Sequence, residues 1–570
     1  MSKADKKVGL SKEDKLFQLA KITYVDFKLI EPERTLLYLF PRLKFDGSLG
    51  KIRHSSTVMT IEQFQHQLIG KKFQDQPIDK KFQEQFQNFD KYPVIVYKWL
   101  ETDLLDLVFR GHPSKEAVVA PRPLHGNAYK YRNPKHARDY DSSKQLYWML
   151  FYARQSGQRS RDELKQYIFA GLDLTSDRID FLNKAGGTQI DVETQAILHL
   201  DNQADTKERK VTEKEGKPHQ PLCIGQADLL ADDVLRLLTY KNHMPRSVLV
   251  DYLKTLFSFH LALYHLRLLK LLPALVQRKG SDPTCDRCPM VPSDDSPHGD
   301  CSHRIGIVVD MGDPNNPHMT ELARKSAAIH YQRTTPYLAA HFTIKKLDEM
   351  ANYLNKVNEL APADTDFTVG ELLQLLQPKY DRQRTQYFES RRQQLIERFT
   401  LEQDTTIPSE VQKILDLELD SFDSYIEIIM ALRTQFHREL LVKCLDSFLQ
   451  KNSDSGLLRQ RSRGPRWFAL GSHLLEVLLQ LAVLERQGTK FCTREIRVDE
   501  LLKLLRERYG LYIDRLPLID GFGQPSIEDQ QALRANLATF KNRLREIGFF
   551  QDLSDAYITQ TVTPRYTITA

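Results

Sequence analysis

Apolar residues near the C-terminus repeat with helical spacing. Leu533, Leu537, Phe540, Leu544 and Ile547 step by 4, 3, 4 and 3, which places them on one stripe and predicts a helix over 526–547 with a single buried face. Ser526, with Asp529 three positions on, has the form of a capping box that gives the first-turn amides their acceptors. Helical patterns also run over 472–485 and 498–509, and extended pieces follow at 549–550, 557–562 and 566–568. Three helices followed by a strand hairpin is the order of a winged helix, here spanning 467–570.

Upstream, the pattern is helical nearly throughout from Met319 to Leu449, with breaks at 361–366 and 404–408. The most apolar stretch, 248–276, contains Asp251, Lys254, His260, His265, Arg267 and Lys270. A bilayer span needs about 20 nearly uncharged residues, so this stretch reads as a buried helix. Residues 16–120 mix strand-like pieces (22–27, 35–40, 94–97) with helical ones (61–69, 99–109), a pattern that predicts a small α+β domain. The remaining divisions are a disordered tail over 1–15 and a basic loop with a helical block over 121–201, including a strand candidate around Ala196. A polar linker over 202–221, a helical body over 222–450 with a Cys-rich insertion at 285–303, and a basic linker over 451–466 complete the chain. The expectation is a mainly α, multidomain protein.

A chain of 570 residues exceeds one core and implies several domains. Its 41% hydrophobic and 27% charged residues describe a soluble globular class. Lys+Arg 81 against Asp+Glu 75 gives a net charge of only +6, but 17 Lys/Arg against 13 Asp/Glu lie from Leu457 onward, so +4 of it is terminal. Six cysteines, scattered outside one cluster, make no disulfide scaffold and fit a reducing compartment. The opening MSKADKKVGLSKEDK has no apolar segment, so no signal peptide is expected and the cytoplasm is the expected location.

The cysteine cluster is the first candidate for chemistry. Cys285 and Cys288 are two residues apart, and Cys301 and His303 follow after a Pro/Ser/Asp/Gly loop. Thiolates at that spacing grip one tetrahedral ion from a turn, so this set is a candidate structural zinc knuckle, with His298 competing with His303 as fourth ligand. The β-branched run 305–309 then ends in Asp310-Met-Gly-Asp313. A strand that presents two carboxylates suits Mg²⁺ and phosphate chemistry; an acidic turn closing a strand is the alternative. The loop 121–140 interleaves Arg122, Lys130, Arg132, Lys135 and Arg138 with Tyr129, Tyr131 and Tyr140, which fits either base stacking or a plain solvated loop. In the terminal block, Arg534, Lys541 and Arg545 flank the apolar stripe, with Asn536 and Arg543 on another side. Together with Arg459, Arg461, Arg463 and Arg466 they are the candidate DNA contacts. Protein docking is the other use of such a domain.

The insertion before VVDMGD, the helical body and the terminal block RGPRWFALGSHLLEVLLQL…TREIRVDELLKLL…YITQTVTPRYTI together resemble large accessory proteins of bacterial anti-phage operons. These are the operons tied to DNA modification, whether methylation-associated or phosphorothioation-dependent restriction. The resemblance covers about residues 245–570 and carries over no catalytic residue. It implies an antiviral role beside a motor ATPase or a modification enzyme. The leading expectation is thus a non-catalytic DNA-binding or assembly subunit of a defence complex. A divalent-metal-dependent nuclease centred on Asp310 and Asp313 and a winged-helix transcriptional regulator are the alternatives.

Overall fold

The structure, a computed structural model, describes residues 10–53, 61, 91–109, 117–131, 137–174, 178–179, 190–203, 207–209, 217–280, 285, 301–362, 365–401, 407–551 and 560–569. Its architecture is mainly helical with several small sheets.

The N-terminal third departs most from the sequence pattern. Thr35–Phe40, which alternates like a strand, lies in helix α1 (Pro32–Lys44), where every side chain from Thr35 to Leu43 is buried. A helix buried all round has no polar face, so its apolar run does not betray its period. Val94–Tyr97 likewise belongs to a helix, Pro93–Trp99. The expected helix 99–109 ends at Leu104, and β1 (Leu105–Phe109) pairs antiparallel with β2 (Ala117–Pro121). Within the described segment 121–131, His125 and Tyr129 are fully buried and Lys130 is nearly so, which fits neither base stacking nor a plain solvated loop there; Arg132 and Lys135 lie outside the described residues, and Arg138 is exposed. Next come α2 (Ser142–Tyr152), α3 (Gly157–Ile168) and α4 (Val192–Gln203), which absorbs the strand expected at Ala196. Part of the expected linker is paired: Lys207–Arg209 runs antiparallel to Lys51–Arg53. Most of the helix expected at 61–69 falls outside the described residues.

The body is built on α5 (Ile224–Leu238) and α6 (Arg246–Arg278). Helix α6 is long and apolar enough to cross a membrane, yet its side chains are buried almost throughout from Leu249 to Leu275. It packs against α1, α5, α8 (Thr334–Lys356) and α10 (Ser421–Phe448). Strand β3 (Ile307–Val308) and helix α7 (Pro317–Gln332) precede α8, and α9 (Asp381–Leu401) packs on α10. The expected helical stretch 319–449 is observed, interrupted among the described residues around 357–368, 375–377, 407–408 and 416–420.

The expected basic linker is folded. Strands β4 (Leu458–Gln460) and β5 (Arg466–Phe468) form an antiparallel hairpin. Beyond it run α11 (Ser472–Ala482), the hairpin β6 (Leu484–Gln487) with β7 (Lys490–Thr493), β8 (Ile496–Arg497) and α12 (Val498–Leu504). They are followed by β9 (Leu511–Tyr512), α13 (Ile527–Glu546), β10 (Phe550–Gln551) and β11 (Thr561–Val562). Strands β8, β11 and β10 make an antiparallel sheet with β11 in the middle.

This terminal block is not self-contained. Strand β3, from the middle of the chain, pairs parallel with β9, and Asp310 bridges to Ala469 beyond β5. A small core cluster joins Val308, Met319 and Leu322 to Leu516, Phe522, Ala532 and Leu533. A second joint is polar. Arg508, after α12, contacts the buried Asp232 and Asp233 of α5, and Asp233 also receives the Tyr509 hydroxyl at 3.0 Å and lies 3.0 Å from His260 Nε2. Burial opposes ionisation of Asp233, but Arg508 and His260 overcome it and hold the carboxyl below its usual range.

Candidate nucleic-acid interface

Helix α13 is set by its two faces. Ser526 and Asp529 form the full capping box, with Asp529 N donating to Ser526 Oγ at 3.1 Å and Ser526 N to Asp529 Oδ2 at 2.9 Å. His318 of α7 lies 2.7 Å from Asp529 Oδ1 and ties this end to the body. The buried face consists of Ala532, Leu533, Asn536, Phe540 and Leu544, with Leu537 partly buried beside them.

Asn536 does the reverse of what its place on a flank suggests. It is fully buried, and its Nδ2 donates to Val309 O and Ile513 O, both at 2.9 Å. Its Oδ1 accepts from Met311 N at 2.8 Å. One amide thus clips the strand segment 309–311 to the segment after β9, and is spent on the fold rather than on a ligand. Arg543 is also turned inward, donating from Nη1 to Leu470 O at 2.9 Å. The placement of Asn536 and Arg543 on a duplex-facing flank is therefore corrected: these side chains satisfy backbone groups that burial would otherwise orphan.

The opposite face carries Gln531, Arg534, Ala538, Lys541, Asn542 and Arg545, all exposed except the half-buried Lys541. Arg534 and Lys541 have no ion-pair or hydrogen-bond partner among the described residues. Arg545 donates to Asn542 Oδ1 at 2.6 Å and lies 5.0 Å over the Phe550 ring. Sequence reasoning found the three cations but missed Gln531, Ala538 and Asn542. The positions 531, 534, 538, 541 and 545 step by 3, 4, 3 and 4, the complement of the apolar stripe, so the signal was there. The single small Ala538 between long polar side chains leaves room for a groove to approach the helix there, and Gln and Asn side chains are able to pair with base edges.

The hairpin β4–β5 presents the other predicted cations unequally. Arg466 is committed to Asp446, with Nε and Nη2 each 2.8 Å from a carboxylate oxygen. Lys451 and the Tyr331 hydroxyl reach the same carboxylate, each at 2.8 Å. Burial works against the Asp446 charge, and these donors more than offset it, holding the carboxyl below its ordinary range. Arg459 is half-buried opposite Trp467. Arg461 and Arg463 are exposed at the turn, and Arg461 and Arg324 each lie within 6 Å of the Trp467 ring, at 5.9 and 5.8 Å. The cations here stand on a paired hairpin rather than a flexible arm, a placement in which binding of a ligand would cost less ordering entropy.

The carboxylates after β3 have internal uses. Asp310 is buried, and its Oδ1 accepts from Gly312 N at 2.7 Å while Oδ2 accepts from Thr320 Oγ1 at 2.8 Å. Asp313 Oδ1 accepts from Asn315 N at 2.9 Å. Both are turn-closing interactions, and no third carboxylate joins the two among the described residues. Of the cysteine cluster, Cys288 lies outside the described residues. His303 is buried, and Cys285 and Cys301 are half-buried. No group of three or more metal-capable side chains occurs among the described residues.

Neither the curated proteins nor the solved structures contain a match to this chain. A protein-family model, in contrast, spans residues 12–566, from the N-terminal segment to the last strand region, and agrees with the resemblance carried by the C-terminal half. The chain therefore belongs to the family of methylation-associated defense system protein MAD7.

Proposed function

We propose that the chain is a DNA-binding and assembly subunit of an antiviral defence complex, with its C-terminal block working as a winged helix. In this reading α13 meets the duplex and the hairpin β4–β5 lies along the phosphate backbone. The order α11, β8, α12, α13, β10, β11, with β11 central in the sheet, supports it. The observation that carries it is the outward stripe of α13, where Arg534 and Lys541 have no partner among the described residues and stand beside Gln531 and Asn542. Cations spent on the fold, such as Arg466 and Arg543, have no need of a polyanion; these two have no other visible use. Membership of a methylation-associated defence family supports a setting beside other subunits of the system; in the proposed reading these include an ATPase or a modification enzyme, and the setting is cytoplasmic. The test is photocrosslinking of the full chain to duplex DNA, with the attached peptides mapped by mass spectrometry. Peptides from 527–546 and 459–467 are expected. Crosslinks confined to other regions would overturn the reading.

We also propose one structural zinc held by Cys285, Cys288, Cys301 and His303. Ligand spacing supports it: two thiolates from one turn and a thiol–imidazole pair from the next suit tetrahedral coordination. Protein purified under reducing conditions is expected to contain about one zinc per chain. Near-zero zinc with the thiols intact would count against the site.

A further inference from the structure

The outer face of the β4–β5 hairpin carries an indole that the core does not use. Leu458 and Phe468 are cross-strand partners and both are fully buried, so the face they share turns toward the body. Side chains alternate along a strand, and the next pair, Arg459 with Trp467, therefore stands on the opposite face, where both are half-buried. Trp467 belongs to none of the hydrophobic clusters and stacks on no other aromatic ring among the described residues. Trp148, by contrast, is buried and packs edge-on against Tyr147 and Phe151.

The surroundings of this ring are cationic. Arg461, two positions beyond Arg459, places its guanidinium carbon 5.9 Å from the ring centre, and Arg324 of α7 places a second at 5.8 Å. Arg459, Arg461 and Arg463 have no ion pair or side-chain hydrogen bond among the described residues. Arg324 has one acidic neighbour, Glu321, in a solvent-facing i,i+3 pair of a kind that contributes little. The hairpin itself is held firmly. Arg466 on its inner face is anchored to Asp446, and the Asn452 side chain bonds both backbone groups of Gln460, at 2.8 and 3.0 Å.

The chemistry of this face selects its ligand. An indole offers a flat π-face to another flat ring, and guanidinium groups beside it neutralise phosphates, the combination by which proteins hold single strands. Bases inside a duplex are covered on both faces by their neighbours, so only a base out of its stack can lie on Trp467. An acidic peptide would match the charge but leave the indole unused. Helix α7 packs against both β5 and α13, which sets the platform on the element that also supports α13.

We propose that Trp467 is the stacking platform for an unpaired base, and that Arg324, Arg459 and Arg461 hold the phosphates of a DNA single strand on either side of it. The inference rests on the reading that this hairpin faces DNA, but not on α13 meeting the duplex. The experiment titrates the full chain with oligothymidylate and, separately, with a blunt duplex, following intrinsic tryptophan fluorescence and the anisotropy of a labelled strand. The single strand binds and quenches the fluorescence. Trp467→Ala weakens its binding by about tenfold, the worth of one base–aromatic stack, and changes duplex binding by less than about twofold. Trp467→Phe keeps most of the affinity but loses the quench, since only Trp99 and Trp148 remain, and serves if Trp467→Ala fails to fold. A parent that binds the single strand but not the duplex upholds this inference and sinks the α13 reading. No saturable single-strand binding, a quench that survives Trp467→Phe, equal single-strand affinity in Trp467→Ala, or displacement by polyglutamate as readily as by unlabelled oligothymidylate would overturn the proposal.

Discussion

Single residues divide cleanly between those that hold the fold and those left facing outward. Asn536 satisfies three backbone groups at once, so Asn536→Ala leaves two carbonyls and an amide buried without partners. A loss of about 3 kcal/mol or more is expected in denaturant unfolding; a loss below about 1 kcal/mol would mean that the clip is dispensable. Arg508 is the extreme case, since removing it leaves the buried Asp233 with only the Tyr509 hydroxyl and His260, while Asp232 keeps Arg236 and Arg486. Arg508→Met is expected to cost about 3–5 kcal/mol, because breaking a buried ion cluster leaves uncompensated charge. Arg534→Ala, at an exposed site with no partner among the described residues, is expected to change stability by less than about 0.5 kcal/mol. Equal losses for Arg508→Met and Arg534→Ala would contradict this division.

At the scale of elements, legibility followed amphipathicity. Helix α13 was readable down to its capping box because one face is buried and the other wet, so Leu533, Phe540 and Leu544 keep helical time. Helix α1 was not, because burial on every side erases the period that distinguishes a helix from a strand. The fate of Asn536 and Arg543 was equally illegible. Helical spacing assigns a face but not what covers it, and here the cover comes from β3 and the segment after β5, each far away in sequence. The hairpin β4–β5 carries the sequence pattern of a linker, since its strands are three residues each and rich in arginine. That hairpin yields its own prediction. Asp446→Asn frees Arg466, Lys451 and Tyr331 from a shared anchor, and is expected to lower stability by about 2–4 kcal/mol at pH 7. The sign with pH follows. The native Asp446 carboxyl titrates below its unfolded value near 3.9, so its contribution is present above pH 4 and is lost as pH falls through the native value. Parent and variant should therefore converge in stability toward the acid limit, and a constant gap down to pH 3 would contradict the pairing.

The whole molecule is one interlocked body in which the centre of the chain supplies a strand to its end. An excised 456–570 fragment would lack Val308, Met319 and Leu322 and so part of the α13 core; assays belong on the full chain. Buried histidines add a global acid sensitivity. Burial lowers His265 and His330 to about 4 and His125 and His437 to about 3. Each stays neutral in the folded state while the unfolded chain takes up a proton near pH 6.5, so the unfolded state binds more protons and stability falls as pH drops below that value. The loss approaches about 1.4 kcal/mol per pH unit per histidine until the native value is reached. Denaturant midpoints that stay flat between pH 6.5 and 5 would contradict the assignment. The central claim, that the free cations of α13 meet DNA, is tested most directly by duplex binding of the full chain across a salt series, parent against the Arg534→Ala/Lys541→Ala double variant. The account predicts binding by the parent that weakens steeply with salt, and a log–log slope shallower by about two in the variant, one for each lost phosphate contact. A parent that fails to bind at low salt, or a variant whose affinity and slope match the parent's, would contradict it.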